Sequence, residues 1–214
     1  MVTLLLIRHG ESEYNLSHHF TGHSDIALTP LGVRQADLTA RYLLENFSVD
    51  VIWSSDLQRA RNTAKPYAER VGLPILLDRD LRETNVGDWQ DRLVDDIIVE
   101  CPKEMADFQN RRLDFRFPNG ENSADVYARA SRAIARIAEE NDGKTVAVFG
   151  HGGVIRTLCR HWLGLTPEQF HQAPNITNAS VTVVRYDRGR VEFLQIAYDQ
   201  HLKEAEDRND PRVI

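Results

Sequence analysis

Cysteine is scarce. The 214 residues hold two, Cys101 and Cys159, far apart and in no spacing that suits a metal site or a redox pair. That excludes a disulfide scaffold and fits a reducing, cytoplasmic setting. Long apolar runs are missing too. The run at residues 2–7 is too short for a signal-peptide core or a membrane span, has no basic segment before it, and ends in Arg8-His9. Basic residues are not in excess: the net charge is -6. This argues against nucleic acid or an anionic membrane as the main partner, while a local cluster of arginines can still hold a small anion. Repeats and low-complexity tracts are also absent.

What is present is ordinary for a globular protein, with 42% hydrophobic and 27% charged residues, enough for one sizeable α/β domain. Residues 2–8 read as a buried strand. Thr29-Pro30 opens a helix, Thr at the N-cap and Pro in the first turn, that runs to about Asn46. Residues 49–53 and 74–77 read as strands. Between them Ser55-Asp56 is expected to cap a helix over 57–71, closed by Gly72. The stretch from about 88 to 118 is charged, aromatic and weakly periodic, which suggests a lid of short helices. An amphipathic helix follows over 123–138, then a buried strand at 145–149 and a helix to about Leu163. A hairpin pairs 180–186 with 190–197 around Asp187-Arg188-Gly189. Strands alternating with helices imply a largely parallel sheet covered on both faces, whose ligands bind at the carboxyl ends of the strands.

Two of those strand ends carry the same chemistry: Arg8-His9-Gly10 after the first, and Gly150-His151-Gly152-Gly153 after the strand at 145–149. The glycines allow close approach of backbone to a ligand. Helix N-termini beyond each turn would offer free amides to a phosphate. A third strand end leads into a helix whose first turn contains Arg59. Alone, Arg59 reads as a solvated helix residue. Beside Arg8 and two histidines it reads as a second planar cation for phosphate oxygens. Glu83, after the third strand, is either an ordinary loop carboxylate or a proton donor for a leaving alkoxide. Trp89, Phe108, Phe115 and Phe117 fit an apolar substrate wall or plain lid packing. His18, His19 and His23 have no carboxylate or cysteine partners at metal-ligand spacing, so no metal is expected. Asn178 sits before a strand, where turn chemistry is its ordinary role and the mouth of the site the alternative.

At these residues the sequence resembles the histidine phosphatase superfamily, the clan that includes cofactor-dependent phosphoglycerate mutase. The hallmark is Leu6-Ile7-Arg8-His9-Gly10-Glu11-Ser12-Glu13-Tyr14-Asn15. Further matches are Phe20-Thr21-Gly22-His23, Leu28-Thr29-Pro30-Leu31-Gly32, Ser54-Ser55-Asp56-Leu57-Gln58-Arg59-Ala60 and Val148-Phe149-Gly150-His151-Gly152-Gly153. The resemblance runs from residue 2 to about 197. It implies a three-layer sandwich, a mostly parallel six-stranded sheet with helices on both faces. It also implies a single domain over 1–200 with a lid-like insertion at about 88–118 and a polar tail over 201–214.

On matched positions, His9 resembles the family's phosphorylated histidine, and Arg8, Arg59 and His151 the groups that hold the phosphoryl oxygens. Glu83 matches the proton donor, Asn15 a phosphate contact from the first loop, Thr21-Gly22 a substrate-contacting turn, and Gly152 a backbone contact. The resemblance implies no metal or other cofactor. Its natural partner is a small phosphorylated metabolite, and a homodimer is compatible with it. Phosphatase and mutase branches share this core. The modest insertion and Val86-Gly87-Asp88-Trp89-Gln90-Asp91, similar to the phosphatase branch's G-x-W-E-G apart from Gln90 and Asp91, favour a phosphatase. Arg111-Arg112 pull toward a mutase or a substrate with a second anionic group, unless they are a solvated face of a lid helix. A metallohydrolase and a catalytically silent phospho-ligand binder are the rival classes.

Overall fold

Apolar side chains alternate between two faces along β1 (Val2–Arg8). Leu4 and Leu6 enter one core, and Leu5 and Ile7 enter the other, as the two-residue period of a strand buried on both sides dictates. The computed structural model describes residues 1–110 and 115–203. β1 is followed by the short helix α1 (Glu13–Leu16), α2 (Pro30–Asn46), β2 (Val51–Ser54), α3 (Gln58–Val71) and β3 (Ile75–Leu77). Then come α4 (Val94–Glu100), α5 (Pro102–Gln109), α6 (Ser123–Glu140), β4 (Thr145–Gly150), α7 (Gly152–Trp162), β5 (Val181–Asp187) and β6 (Arg190–Tyr198).

The six strands form one sheet in the order β3-β2-β4-β1-β5-β6. β3, β2, β4 and β1 run parallel, and the β5–β6 hairpin adds two antiparallel strands beside β1. α2 and α3 cover one face through Ala40, Leu43, Ala64 and Tyr67. α6 and α7 cover the other through Ala130, Ile134, Ile137 and Leu158. This is the expected three-layer sandwich. β1 and β4 are adjacent and in register, Arg8 opposite Gly150, so the residues that follow them emerge side by side at the centre of the sheet. Among the described residues no helix is long and apolar enough to cross a membrane.

The expected helix start at Thr29-Pro30 is present, with Thr29 Oγ1 accepting from Gly32 N at 3.0 Å. Two other local expectations differ from the structure. β2 begins at Val51 rather than 49, because Val49 packs against the α2–α3 core ahead of the ladder. α3 is not capped by Ser55 or Asp56. Its N-cap is Leu57, which makes no side-chain capping bond. The Asp56 carboxylate is taken by Arg82, Nε and Nη2 each at 2.6 Å, and the Ser55 hydroxyl turns toward His151. The lid contains the expected short helices and has a small core of its own. Trp89, 1% exposed, sits in it among Ile97, Met105 and Phe117, with Phe20, Phe108 and Phe115 packed edge-on or tilted around it. Trp89 is therefore a packing residue and not part of a substrate wall. Arg111 and Arg112 fall outside the described residues, as does most of the polar tail.

Candidate active site

His9 leaves the end of β1 and is 3% exposed. Its Nδ1 lies 2.7 Å from the carbonyl of Gly10. A carbonyl can only accept, so Nδ1 carries the proton and Nε2 carries the lone pair. The backbone carbonyl of His9 is held in turn by Ala179 N and Asn178 Nδ2, each at 3.1 Å. Gly10 N donates to Thr63 Oγ1 at 3.0 Å, which ties the turn after β1 to α3. Burial, then the charges of Arg59 and Arg8, hold the His9 imidazole well below its usual value of 6.5. It is neutral at physiological pH.

His151 follows β4. Its ring centroid is 5.2 Å from that of His9, at an interplanar angle of 61°. It is fully buried and likewise held well below 6.5, first by desolvation, then by Arg59, His9, Arg129 and Arg8. His151 Nε2 is 2.8 Å from Ser55 Oγ, and Nδ1 has no hydrogen-bond partner among the described residues.

Two guanidinium groups flank the rings. Arg8 donates from Nη1 to Ile176 O at 2.6 Å. Arg59, 1% exposed, donates to Ser24 O at 2.7 Å and Gly22 O at 2.9 Å. Each Nε is buried without a partner among the described residues, and each fork carries five N–H donors in all. Desolvation pushes Arg59 down to about 10, partly offset by the carboxylates of Glu83 and Asp25; it stays charged at neutral pH. Two desolvated cations beside two neutral imidazoles is an arrangement that an oxyanion completes.

Glu83 reaches this group from the loop after β3. Oε1 accepts from Thr84 N at 2.8 Å, and Oε2 accepts from Gly153 N at 3.1 Å. Its loop is clamped from α6. Arg129 donates to the carbonyls of Asp80, Arg82 and Glu83 at 2.7–2.9 Å and to both oxygens of Glu121. His23 Nε2 adds a donor to Glu83 O at 2.8 Å. Burial keeps His23 below 6.5, and its bond to a carbonyl makes it a loop anchor.

The structure thus brings Arg8, His9, Arg59, Glu83 and His151 together. Asn15 stands beside them, with Oδ1 accepting from Ser12 N, Ser12 Oγ and Asn178 Nδ2 at 3.0–3.1 Å. That orients the amide and leaves Nδ2 as its donating end. Gly22 contributes its carbonyl to Arg59, and Thr21 O accepts from Ser24 N within the same turn. The helix N-termini differ: α1 is closed by its own Ser12–Asn15 capping box, whereas α7 has no side-chain cap and its Gly153 amide donates to Glu83. The glycines instead admit side chains: a Cβ on Gly152 would sit 3.1 Å from Arg8 Nε, and one on Gly153 would overlap Glu83 Oε1. The histidines near the first loop do not converge, since His19 stacks on Tyr14. Among the described residues no group of three or more His, Cys, Asp or Glu could hold a metal.

Sequence reasoning missed Ser55 and the Arg129–Glu121 clamp, and it left Asn178 as turn chemistry. Beside Glu83 lies a cleft of about 340 Å³, lined by Thr84 and Gly153 at the site and by Phe108, Phe115, Phe117 and Arg156 farther out. Phe108, Phe115 and Phe117 therefore serve both as lid packing and as an apolar wall.

With this geometry in view, the resemblance can be set against known proteins. The family model of the histidine phosphatase superfamily (branch 1) matches residues 4–199. Phosphoglycerate mutase-like protein 4 of Arabidopsis thaliana is 34% identical over 94% of this chain and 87% of its own length. The structure of Bacillus stearothermophilus YhfR superposes with a TM-score of 0.89 at 29% identity, covering 94% of this chain and all of that one. A mycobacterial glucosyl-3-phosphoglycerate phosphatase, complexed with VO3, gives 0.82 at 30% identity over 92% and 99% of the two chains. Two histidines and two arginines gathered at the expected strand ends, a matching sheet and a family model spanning nearly every residue agree: the chain belongs to the histidine phosphatase superfamily, branch 1.

Proposed function

We propose that this protein is a metal-independent phosphatase of small phosphomonoesters, with His9 as its nucleophile. The observation that carries the reading is the 2.7 Å bond from His9 Nδ1 to Gly10 O, which leaves a lone pair on Nε2 in the field of Arg59 and Arg8. The neutral imidazole attacks phosphorus as the bond to the ester oxygen breaks. Arg8, Arg59, His151 and Asn15 hold the phosphoryl oxygens, where charge concentrates in the transition state. Protonated Glu83 gives its proton to the departing alkoxide. Its carboxylate then takes a proton from water, whose oxygen attacks the phosphohistidine. The P–N bond breaks, phosphate leaves, and both residues return to their starting states.

The alcohol portion is assigned to the cleft beside Glu83. Its phenylalanine wall and Arg156 suit a leaving group with apolar surface and an anionic or polar end. A phosphatase named for glucosyl-3-phosphoglycerate among the structural relatives supports hydrolysis. The mutase-like name of the Arabidopsis relative favours the second reading, a phosphoglycerate mutase. A panel of phosphomonoesters separates them when it includes 3-phosphoglycerate with 2,3-bisphosphoglycerate. The direct test is to quench the enzyme with labelled substrate in excess chelator. Turnover persists, and an acid-labile, base-stable phosphate appears on His9. His9→Ala abolishes the label and lowers turnover at least about a thousandfold. Label on another residue, or activity lost to the chelator, overturns the scheme.

A further inference from the structure

His9 and His151 are held from opposite sides of their rings: His9 at Nδ1 by a carbonyl, His151 at Nε2 by the Ser55 hydroxyl. A carbonyl dictates which nitrogen is protonated. A hydroxyl, which can donate or accept, leaves two tautomers open. Counting donors and acceptors selects one of them. Ser55 is fully buried. Its oxygen already accepts from Leu57 N at 3.3 Å, and its proton meets one acceptor among the described residues, His151 Nε2 at 2.8 Å. Were Nε2 protonated, the Ser55 O–H would be buried with no acceptor, a cost of about 1–3 kcal/mol. With Ser55 donating, the Leu57 amide, the hydroxyl and Nε2 are all satisfied. The His151 proton then sits on Nδ1, the buried nitrogen that has no partner among the described residues.

We propose that Ser55 is a positioning residue that fixes the Nδ1–H tautomer of His151. Both histidines then adopt the same tautomer and play opposite parts. His9 presents a bare Nε2 to phosphorus. His151 presents an N–H to a phosphoryl oxygen, where the other tautomer would set a lone pair against it. This inference rests on the phosphoryl-transfer reading of the site. Burial and the neighbouring arginines keep the free His151 neutral, so a choice between tautomers exists to be made.

Two-bond proton–nitrogen correlations on the full, ligand-free chain, with nitrogen-labelled histidine, test this without turnover. His151 is assigned by the resonance lost in His151→Gln. The expected pattern at neutral pH is a protonated Nδ1 and a bare Nε2. Ser55→Ala should move the proton wholly or partly to Nε2 and lower kcat/KM about ten- to a hundredfold, as loss of a group orienting a reactive imidazole does. Ser55→Thr, which keeps the hydroxyl, should retain the wild-type pattern. A protonated Nε2 in the wild type overturns the proposal whatever the activity, and so does a Ser55→Ala protein with unchanged tautomer and kinetics. A wild type with the expected tautomer and no turnover of any phosphomonoester supports the Ser55 assignment and sinks the phosphatase reading alone.

Discussion

At Gly153 a missing side chain makes room for the Glu83 carboxylate. Its amide donates to Glu83 Oε2, and a Cβ there would overlap Oε1 of the same carboxylate and come within 3.0 Å of Thr84 Oγ1. The atoms it would meet are the ends of short, movable side chains, so Gly153→Ala has somewhere to go. The Glu83 carboxyl swings off the α7 N-terminus and the fold survives. The expected outcome is a melting temperature within a few degrees of wild type and a kcat lowered about 10²–10⁴-fold, the usual contribution of a positioned acid–base group. A double-mutant cycle checks the cause. If Gly153→Ala acts by displacing Glu83, adding it to Glu83→Gln costs little more, because the two changes remove one interaction. Additive losses would show that Gly153 contributes through something else.

At the scale of elements, the strands and the site do not share one legibility. β1 and β4 were plain in the sequence because apolar runs ending in Arg-His-Gly and Gly-His-Gly-Gly are local signals. So was α2, with Thr29-Pro30 at its start. α3 starts where expected, but without the expected cap. Ser55 and Asp56 are good capping residues in isolation, but tertiary partners 96 and 26 residues away claim their side chains. Asn178, 169 residues from His9, was equally invisible to spacing. α6 gives the sharpest case. Its sequence shows an amphipathic helix, and nothing in that pattern says that Arg129 will hold the carbonyls of Asp80, Arg82 and Glu83. The side chains of Arg129 and Glu121 are 12% and 18% exposed, so this clamp is a rigid strut between α6 and the Glu83 loop. Arg129→Lys keeps the charge opposite Glu121 and loses the planar fork that spans three carbonyls. Glu83 should then be misplaced, and a displacement of about 1 Å can cost a hundredfold. The loss must depend on the leaving group. kcat/KM for an alkyl phosphate, whose alkoxide needs the proton, should fall far more than for 4-nitrophenyl phosphate, whose phenolate does not. Equal losses on both substrates would mark Arg129 as merely structural.

For the molecule as a whole, placing imidazoles inside the fold ties its stability to pH. Desolvation lowers His9, His23 and His151, and pushes His201 down to about 4. His201 is wedged by Thr39 Oγ1 at 3.0 Å and stacked on Tyr42 and Tyr198. Between these lowered values and the usual 6.5, the unfolded chain binds protons that the folded chain refuses. Stability therefore rises with pH through that window, is fully present above 6.5, and declines as pH falls below it. The carboxylates cannot mask this, because Asp56, Glu121 and Asp125 are shifted downward by their arginine and backbone partners. What they add is lost only below the ordinary carboxylate range. Urea unfolding at about pH 7.5 and about pH 5 should therefore show a clear drop in stability at the lower pH. His201→Gln removes one of the protons taken up on unfolding and leaves His9 untouched, so its drop should be smaller by up to one proton's worth of slope. An unchanged slope would mean that His201 titrates in the folded protein much as it does in the unfolded chain, and that its buried position between Thr39 and Tyr42 opens readily to water.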